Sequence, residues 1–401
     1  MFGSADCTIL QLSSGEPVSG LVAEMTAKAL KLNIPLSVQL DLTYRCNERC
    51  IHCYLDHADH GEMTTAEIKD LLDQMADAGV FYLTVSGGEI LMRRDFFEIL
   101  EYARKRTFCI KLKTNGILIR EKEAKRIKAL GVESVQISIY SHVADVHDAI
   151  TKMPGSLKHS IEAIRRLRAH GIHVIMANVL MVQNMTDYPG VQALAVELGA
   201  QFIMDPTITP MMDGDRSILN LNVDEAALRE VFRNGALVGN VEEFCAPPPG
   251  PDEDALDMLP CSAGHTACYV SPYGDIYPCV QFPLPSGNVR RMKFVDIWRN
   301  SPQLQEVRSI TLRDMPSCSK CTHGATCTRC PGLAYMEGNM RGPSSQDCEK
   351  SFARTGIPSE NLKARKASTQ SFQSSQLVQI QRLQPAAVFA AGETEDTTVN
   401  A

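Results

Sequence analysis

Two hydrophobic rhythms alternate along the first half of the chain. Between residues 37 and 208, short β-branched runs separate longer stretches in which apolar side chains recur every three or four positions. The runs SVQLDL (37–42), FYLTVS (81–86), CIKLKT (109–114), SVQISIY (134–140), HVIMANVLM (173–181) and QFIMDPTI (201–208) predict six strands. The first segment between them is the most fully specified helix. Thr64 and Glu67 have the spacing of a capping box, Ile68, Leu71, Leu72 and Met75 share one face, and Gly79 stops it. Residues 156–170 repeat the logic with Leu157, Ile161, Ile164 and Leu167. Near-continuous apolar strands joined by helices imply a parallel sheet with helices on its outer face. Six such units predict an α/β fold, a partial (β/α)6 barrel of TIM-like type; an open doubly wound sheet has the same linear pattern.

The rhythm breaks at 246–260, APPPGPDEDALDMLP, where five prolines and four acidic residues predict a linker. The next hundred residues hold short strand and turn signals such as YVSPYGDIYPC, in which Gly274-Asp275 predicts a hairpin turn. A unit this small needs staples in place of core burial. From about 357 onward the chain is rich in Ser, Gln, Ala and Thr and is expected to be disordered. The expected divisions are an N-terminal segment (1–36), the barrel (37–235), a linker with a cysteine-rich domain (236–355) and a tail (356–401).

Composition narrows the function. The chain has 401 residues, and 44% hydrophobic with 22% charged residues is ordinary globular usage. A net charge of -7 has the wrong sign for a nucleic-acid partner. Neither a basic-plus-apolar N-terminus nor a run of 18 apolar residues is present, so a cytoplasmic protein without a membrane partner is expected. Fourteen cysteines in such a chain are expected to be reduced, and clustered reduced cysteines are more often metal ligands than disulfides. Three of them, Cys46, Cys50 and Cys53, lie in one loop after the first predicted strand. Three thiolates at CX3CX2C spacing can hold three irons of a cubane and leave the fourth open. The polar neighbours Arg45, Asn47, Glu48 and Arg49 argue against a buried helix stripe. On spacing alone, zinc with His52 or His57 as fourth ligand is the alternative.

This loop resembles that of the radical S-adenosylmethionine (radical SAM) enzymes, and the resemblance extends further. Ser86-Gly87-Gly88-Glu89, at the end of the second strand, resembles the family's GGE motif, which implies that Gly87, Gly88 and Glu89 hold the methionyl amine of S-adenosylmethionine. It likewise implies that Thr114-Asn115-Gly116, Ser138 and Asn178 line its ribose and carboxylate. Two departures are visible: His52 replaces the usual aromatic before the third cysteine, and Ile90 replaces a frequent proline. Downstream, Cys261-X12-Gly274-X4-Cys279, Cys318-X2-Cys321-X5-Cys327-X2-Cys330 and Cys348 resemble the SPASM extension of these enzymes, with one residue fewer between Cys327 and Cys330. The resemblance implies a first auxiliary cluster on Cys261, Cys268, Cys279 and Cys330. A second would use Cys318, Cys321, Cys327 and Cys348. A zinc ribbon is the alternative for that region alone. Cys7, Cys109 and Cys245 are left as bystanders, Cys109 as a core residue, and Trp298 is expected to pack in a core.

What the resemblance implies for function is specific in chemistry and broader in substrate. The cofactors are one SAM-binding and two auxiliary 4Fe-4S clusters with S-adenosylmethionine. Reductive cleavage then yields a 5'-deoxyadenosyl radical that abstracts hydrogen. SPASM proteins most often modify peptides or proteins, so a maturase of ribosomally made peptides is expected. A separate precursor-recognition protein is expected because only about 36 residues precede the first strand, together with an electron donor such as flavodoxin or ferredoxin. A haem-biosynthesis enzyme modifying tetrapyrrole side chains, an electron-transfer protein and a zinc-binding adaptor are the rival readings. Asp205, Asp213 and Asp215 read as a solvated loop beyond the sixth strand.

Overall fold

A computed structural model describes residues 20–363 apart from 251, 252, 254, 255 and 325. The expectations for Cys7 and for most of the tail lie outside the described residues. Helix α1 (Gly20–Leu32) leads into β1 (Ser37–Thr43), followed by α2 (Thr65–Asp77), β2 (Tyr82–Gly87), α3 (Phe96–Lys105), β3 (Cys109–Thr114), α4 (Glu121–Ala129) and β4 (Ser134–Ser138). Then come α5 (Ala144–Thr151), α6 (Ser156–Ala169), β5 (His173–Val179), α7 (Tyr188–Glu197) and β6 (Gln201–Asp205). The remainder comprises α8 (Glu225–Phe232), α9 (Gly235–Val238), α10 (Val241–Phe244), β7 (Ala267–Val270), β8 (Asp275–Tyr277), β9 (Gly287–Asn288), α11 (Phe294–Asn300), α12 (Pro302–Arg308), α13 (Pro331–Met336) and α14 (Ser345–Thr355).

Strands β1 to β6 are parallel and adjacent in chain order. A doubly wound sheet would reverse order at a switch point; this one does not, so successive right-handed crossovers leave the helices on one face, as in a partial barrel. The strands bury that face by alternation. Val38, Leu40, Leu83, Val85, Ile110 and Leu112 enter the apolar layer with Ile68, Leu71, Leu72 and Met75 of α2. Each such side chain contributes roughly 1.5–3 kcal/mol by leaving water. The capping box at Thr64 forms as expected, through Glu67.

Strands β4 to β6 stop short of the predicted runs, and polar side chains and a proline explain where. The Tyr140 N–H is taken by His147 Nδ1 (3.1 Å) and the Met181 N–H by Asn184 Oδ1 (2.7 Å). Pro206 has no N–H to continue β6. On the other side of β1 the sheet runs on beyond the linker: β7 pairs parallel with β1, and β8 and β9 follow antiparallel. The cysteine-rich region therefore begins as an extension of the barrel sheet. Trp298 is fully buried as expected, stacked on Phe294 and donating from Nε1 to the Asn33 carbonyl (2.5 Å).

Candidate active site

The carboxyl end of β1 turns directly into the three-cysteine loop. Backbone donors pin that loop to the end of α5, where helix carbonyls lack intrahelical partners: Arg49 N–H reaches Thr151 O (3.0 Å) and Ile51 N–H reaches Ile150 O (3.0 Å). Arg49 Nη1 also donates to the Cys46 carbonyl (2.6 Å). The three thiols lie close enough to feel one another's charge. Burial pushes all three upward, Cys46 to about 12, so iron must displace protons to bind here. His52 is half-buried, its pKa lowered to about 4 by desolvation of the ring, and it sits edge-on to Tyr140 at 4.6 Å. It thus occupies the aromatic place in the motif with its ring against a tyrosine. Glu48 is buried beside Cys50 and is pushed up to about 7 by desolvation.

The ends of β2 and β3 close on this loop. Gly88 N–H donates to Thr43 O (2.7 Å) and Glu89 N–H to Arg45 O (2.9 Å). A Cβ on Gly87, whose φ is +133°, would lie 2.3 Å from the Thr43 carbonyl oxygen, and one on Gly88 2.4 Å from that of Arg45. Both glycines are therefore required by backbone-to-backbone approach. Glu89 is fully buried and accepts from Leu91 N–H (3.0 Å), Thr114 Oγ1 (2.7 Å) and Asn115 N–H (3.0 Å). Its carboxylate braces the turn after β3. Asn115 in turn donates from Nδ2 to Asn47 Oδ1 (2.8 Å), which ties that turn to the cysteine loop.

On β4, Ser138 is half-buried at the strand's carboxyl end. On β5, Asn178 is buried and donates from Nδ2 to the Ile139 and Tyr140 carbonyls (2.8 and 3.0 Å), while its buried Oδ1 has no protein partner. A buried acceptor left unpaired costs about 1–3 kcal/mol, which fits a ligand hydroxyl at that position. A polar network that the sequence did not announce lines the inner face of the barrel. Asp41 takes Tyr269 Oη (3.0 Å) and Gln39 Nε2 (3.2 Å), Tyr269 meets Tyr44 Oη at 2.6 Å, and Lys113 Nζ reaches Gln39 Oε1 (3.0 Å). Burial raises Asp41 to about 6 against these bonds.

Cys318, Cys321, Cys327 and Cys348 line one cavity, together with His323, Arg329 and Asp347. It encloses about 400 Å³ of atom-free space, part of it open to solvent. These are the four residues expected to share a cluster. Of the other set, Cys330 Sγ lies 4.0 Å from Gln281 Oε1, and Gly332 packs so tightly on Gln281 O that a Cβ would come within 2.3 Å. Cys330 is thereby set against the Cys279–Phe282 turn, whose Phe282 N–H donates to Cys279 O (2.9 Å). Cys261 is half-buried just ahead of β7.

Cys268, expected in the first auxiliary set, lies on the apolar face of β7. Neighbours on a strand face opposite ways, and Tyr269 points to Asp41 inside the barrel. Cys268 lies instead in the apolar layer with Phe294, Ile297 and Trp298, and the one charged group its thiol feels is Arg308. Asp205 also departs from expectation. It is not a solvated loop residue: it is half-buried at the end of β6, bonds Thr207 N–H (2.9 Å), and lies near Lys350, which pairs with Asp347 (2.8 Å). Asp213 and Asp215 only shape an exposed turn. Among the described residues no three His, Cys, Asp or Glu side chains form a group that could hold a single metal ion.

A singly wound partial barrel that presents a three-thiol loop and a GGE turn at the carboxyl ends of its strands has the makings of a radical SAM enzyme. Sequence comparison agrees: residues 40–191 match the Radical SAM superfamily and 261–322 match the SPASM iron-sulfur cluster-binding domain. The chain thus carries a radical SAM domain followed by a SPASM domain, which imply 4Fe-4S clusters and S-adenosylmethionine as cofactors. Among curated relatives, the mycofactocin maturase MftC of Mycobacterium tuberculosis is 28% identical over 345 residues, covering 82% of this chain and 86% of that protein. The AdoMet-dependent heme synthase of Methanosarcina barkeri is 27% identical, covering 76% of this chain and 93% of that protein. Among solved structures, Streptococcus suis SuiB bound to its precursor peptide SuiA superposes with a TM-score of 0.64 at 18% identity, over 82% of this chain and 80% of that one.

Proposed function

We propose that this enzyme matures a ribosomally made peptide, using S-adenosylmethionine at the Cys46–Cys53 loop. The similarity to mycofactocin maturase carries the reading, because it spans most of both proteins and so takes in the barrel and the cysteine-rich region together. The subtilosin biosynthesis protein AlbA of Bacillus subtilis, 27% identical over 78% of this chain and 70% of that protein, points the same way. Cys46, Cys50 and Cys53 would hold the catalytic cluster. When bound, the cluster and S-adenosylmethionine supply hydrogen-atom abstraction by a carbon-centred radical. The chain's own part is to bind, orient and exclude water. The GGE turn offers backbone carbonyls to an ammonium, Glu89 and Asn115 fix the turn beside it, Ser138 and the free Oδ1 of Asn178 meet hydroxyls, and the Gln39–Asp41–Lys113 face lines the space left for substrate. Cys318, Cys321, Cys327 and Cys348 would hold one auxiliary cluster, and Cys261, Cys279 and Cys330 would serve the other.

The partners that complete this reading are a separate precursor-recognition protein and a reducing flavodoxin or ferredoxin, in the cytoplasm. Among the described residues no helix is long and apolar enough to cross a membrane. The heme synthase similarity favours one second reading, modification of tetrapyrrole side chains. Both are tested together. The full chain, reconstituted anaerobically with iron and sulfide, is given S-adenosylmethionine, a reductant, and either any short peptide found encoded beside its gene or an iron coproporphyrin. Formation of 5'-deoxyadenosine with a mass change on the peptide supports the proposal. A change confined to the porphyrin moves the enzyme to the second reading, and stoichiometric zinc without iron ends both.

A further inference from the structure

The cavity bounded by Cys318, Cys321, Cys327 and Cys348 contains one cationic side chain. Arg329 falls in the shortened spacer between Cys327 and Cys330 and is 7% exposed. Its guanidinium is fixed rigidly: Nε donates to Gly342 O (3.0 Å), and Nη2 donates to the same carbonyl (2.6 Å) and to that of Met340. Nη1 is buried and has no protein partner. Among the described residues no carboxylate pairs with Arg329. The one acidic side chain lining the cavity, Asp347, is engaged by the Cys330 N–H (2.8 Å) and by Lys350 (2.8 Å). A buried guanidinium held by two backbone carbonyls, with Nη1–H unspent in a cavity lined by four cysteines, is a donor waiting for a sulfur-rich anion.

We propose that Arg329 turns this N–H and its charge toward the iron-sulfur group held by the four cysteines, and so raises the reduction potential of that cluster above what four thiolates alone would give. The inference rests on the reading of these cysteines as one cluster site. The reason is differential stabilisation. A cluster gains one negative charge on reduction, and a nearby desolvated cation with an N–H to sulfur stabilises the reduced form more than the oxidised one. Gly342 and Met340 make the arrangement rigid, so little reorganisation accompanies the change. The consequence is directional: with Arg329 in place this cluster holds an electron more readily than it would without it, and so becomes a better resting place for an electron leaving a substrate radical.

The test uses the reconstituted full chain, with Arg329→Gln and Arg329→Lys compared against the parent by iron content and by potentiometric titration followed by electron paramagnetic resonance. The expected result is unchanged iron, a lower potential for one cluster in R329Q, partial recovery in R329K, and no movement of the other clusters. Full iron with all potentials unmoved overturns the proposal while leaving the cluster reading intact. Loss of iron in both variants also overturns it, because Arg329 is then a structural clasp. The underlying assignment is checked separately. Cys318→Ala must lose one cluster's iron, and a full complement there removes the premise.

Discussion

Gly88 shows how a single position can serve a site without touching a ligand. Its missing side chain lets the turn after β2 lie on the Arg45 carbonyl, so Gly88→Ala must push apart two backbones that carry the GGE turn and the cysteine loop. We expect a loss of about 2 kcal/mol or more in denaturant unfolding, with less iron retained after reconstitution. Asp41 makes a different prediction. Its folded pKa, about 6, is raised by burial above the ordinary 3.8. A raised carboxyl stabilises the fold below its unfolded pKa, and that stability is lost as pH rises through the folded value. Between about pH 4 and pH 6.5 the parent should therefore lose up to about 3 kcal/mol that Asp41→Asn does not lose. Urea unfolding of both proteins across that range checks it, and parallel stability curves would exclude the effect.

At the scale of elements, α2 and β7 give the clearest cases. Thr64→Ala removes one half of the α2 capping box and should cost about 1 kcal/mol in thermal or denaturant unfolding. On β7, alternation sends Tyr269 inward and Cys268 outward, so Cys268→Ala should retain the parent's iron whereas Cys279→Ala and Cys330→Ala each lose a cluster's complement. Loss of iron in C268A would return Cys268 to the ligand set. The same strand marks the limit of sequence reading. Barrel strands and helices α2 and α6 are legible because their apolar periods and caps are local, and the cysteine loop is legible because its ligands are seven residues apart at most. Cys268 looked like a ligand because spacing says nothing about which face of a strand a residue takes until the partner strand is known. The Asn47–Asn115 clasp, the Tyr44–Tyr269–Asp41 chain and the free Nη1 of Arg329 join positions far apart in sequence, and no period or motif encodes them.

Across the whole molecule, the two cysteine regions are joined by buried charge as well as by the sheet. Lys350 on α14 pairs with the buried Asp347 and lies near the half-buried Asp205 at the end of β6, so Lys350→Ala would strand Asp347 between the barrel and the last helix. A loss of about 3–5 kcal/mol is expected, read by unfolding at neutral pH, and a loss below about 1 kcal/mol would show the pair to be solvated. The pairing of β1 with both β2 and β7 has a further consequence, for the newborn chain. Ser37 is matched to Tyr82 early but meets Ala267 only when most of the protein has been made. At roughly 5–20 residues per second of translation, one edge of the central strand waits about 10–50 s without its neighbour. During that interval Cys46, Cys50 and Cys53 have already emerged while the cysteines from Cys261 onward have not, so metal delivery in the cell is ordered, with the catalytic loop available first and the sheet closing last.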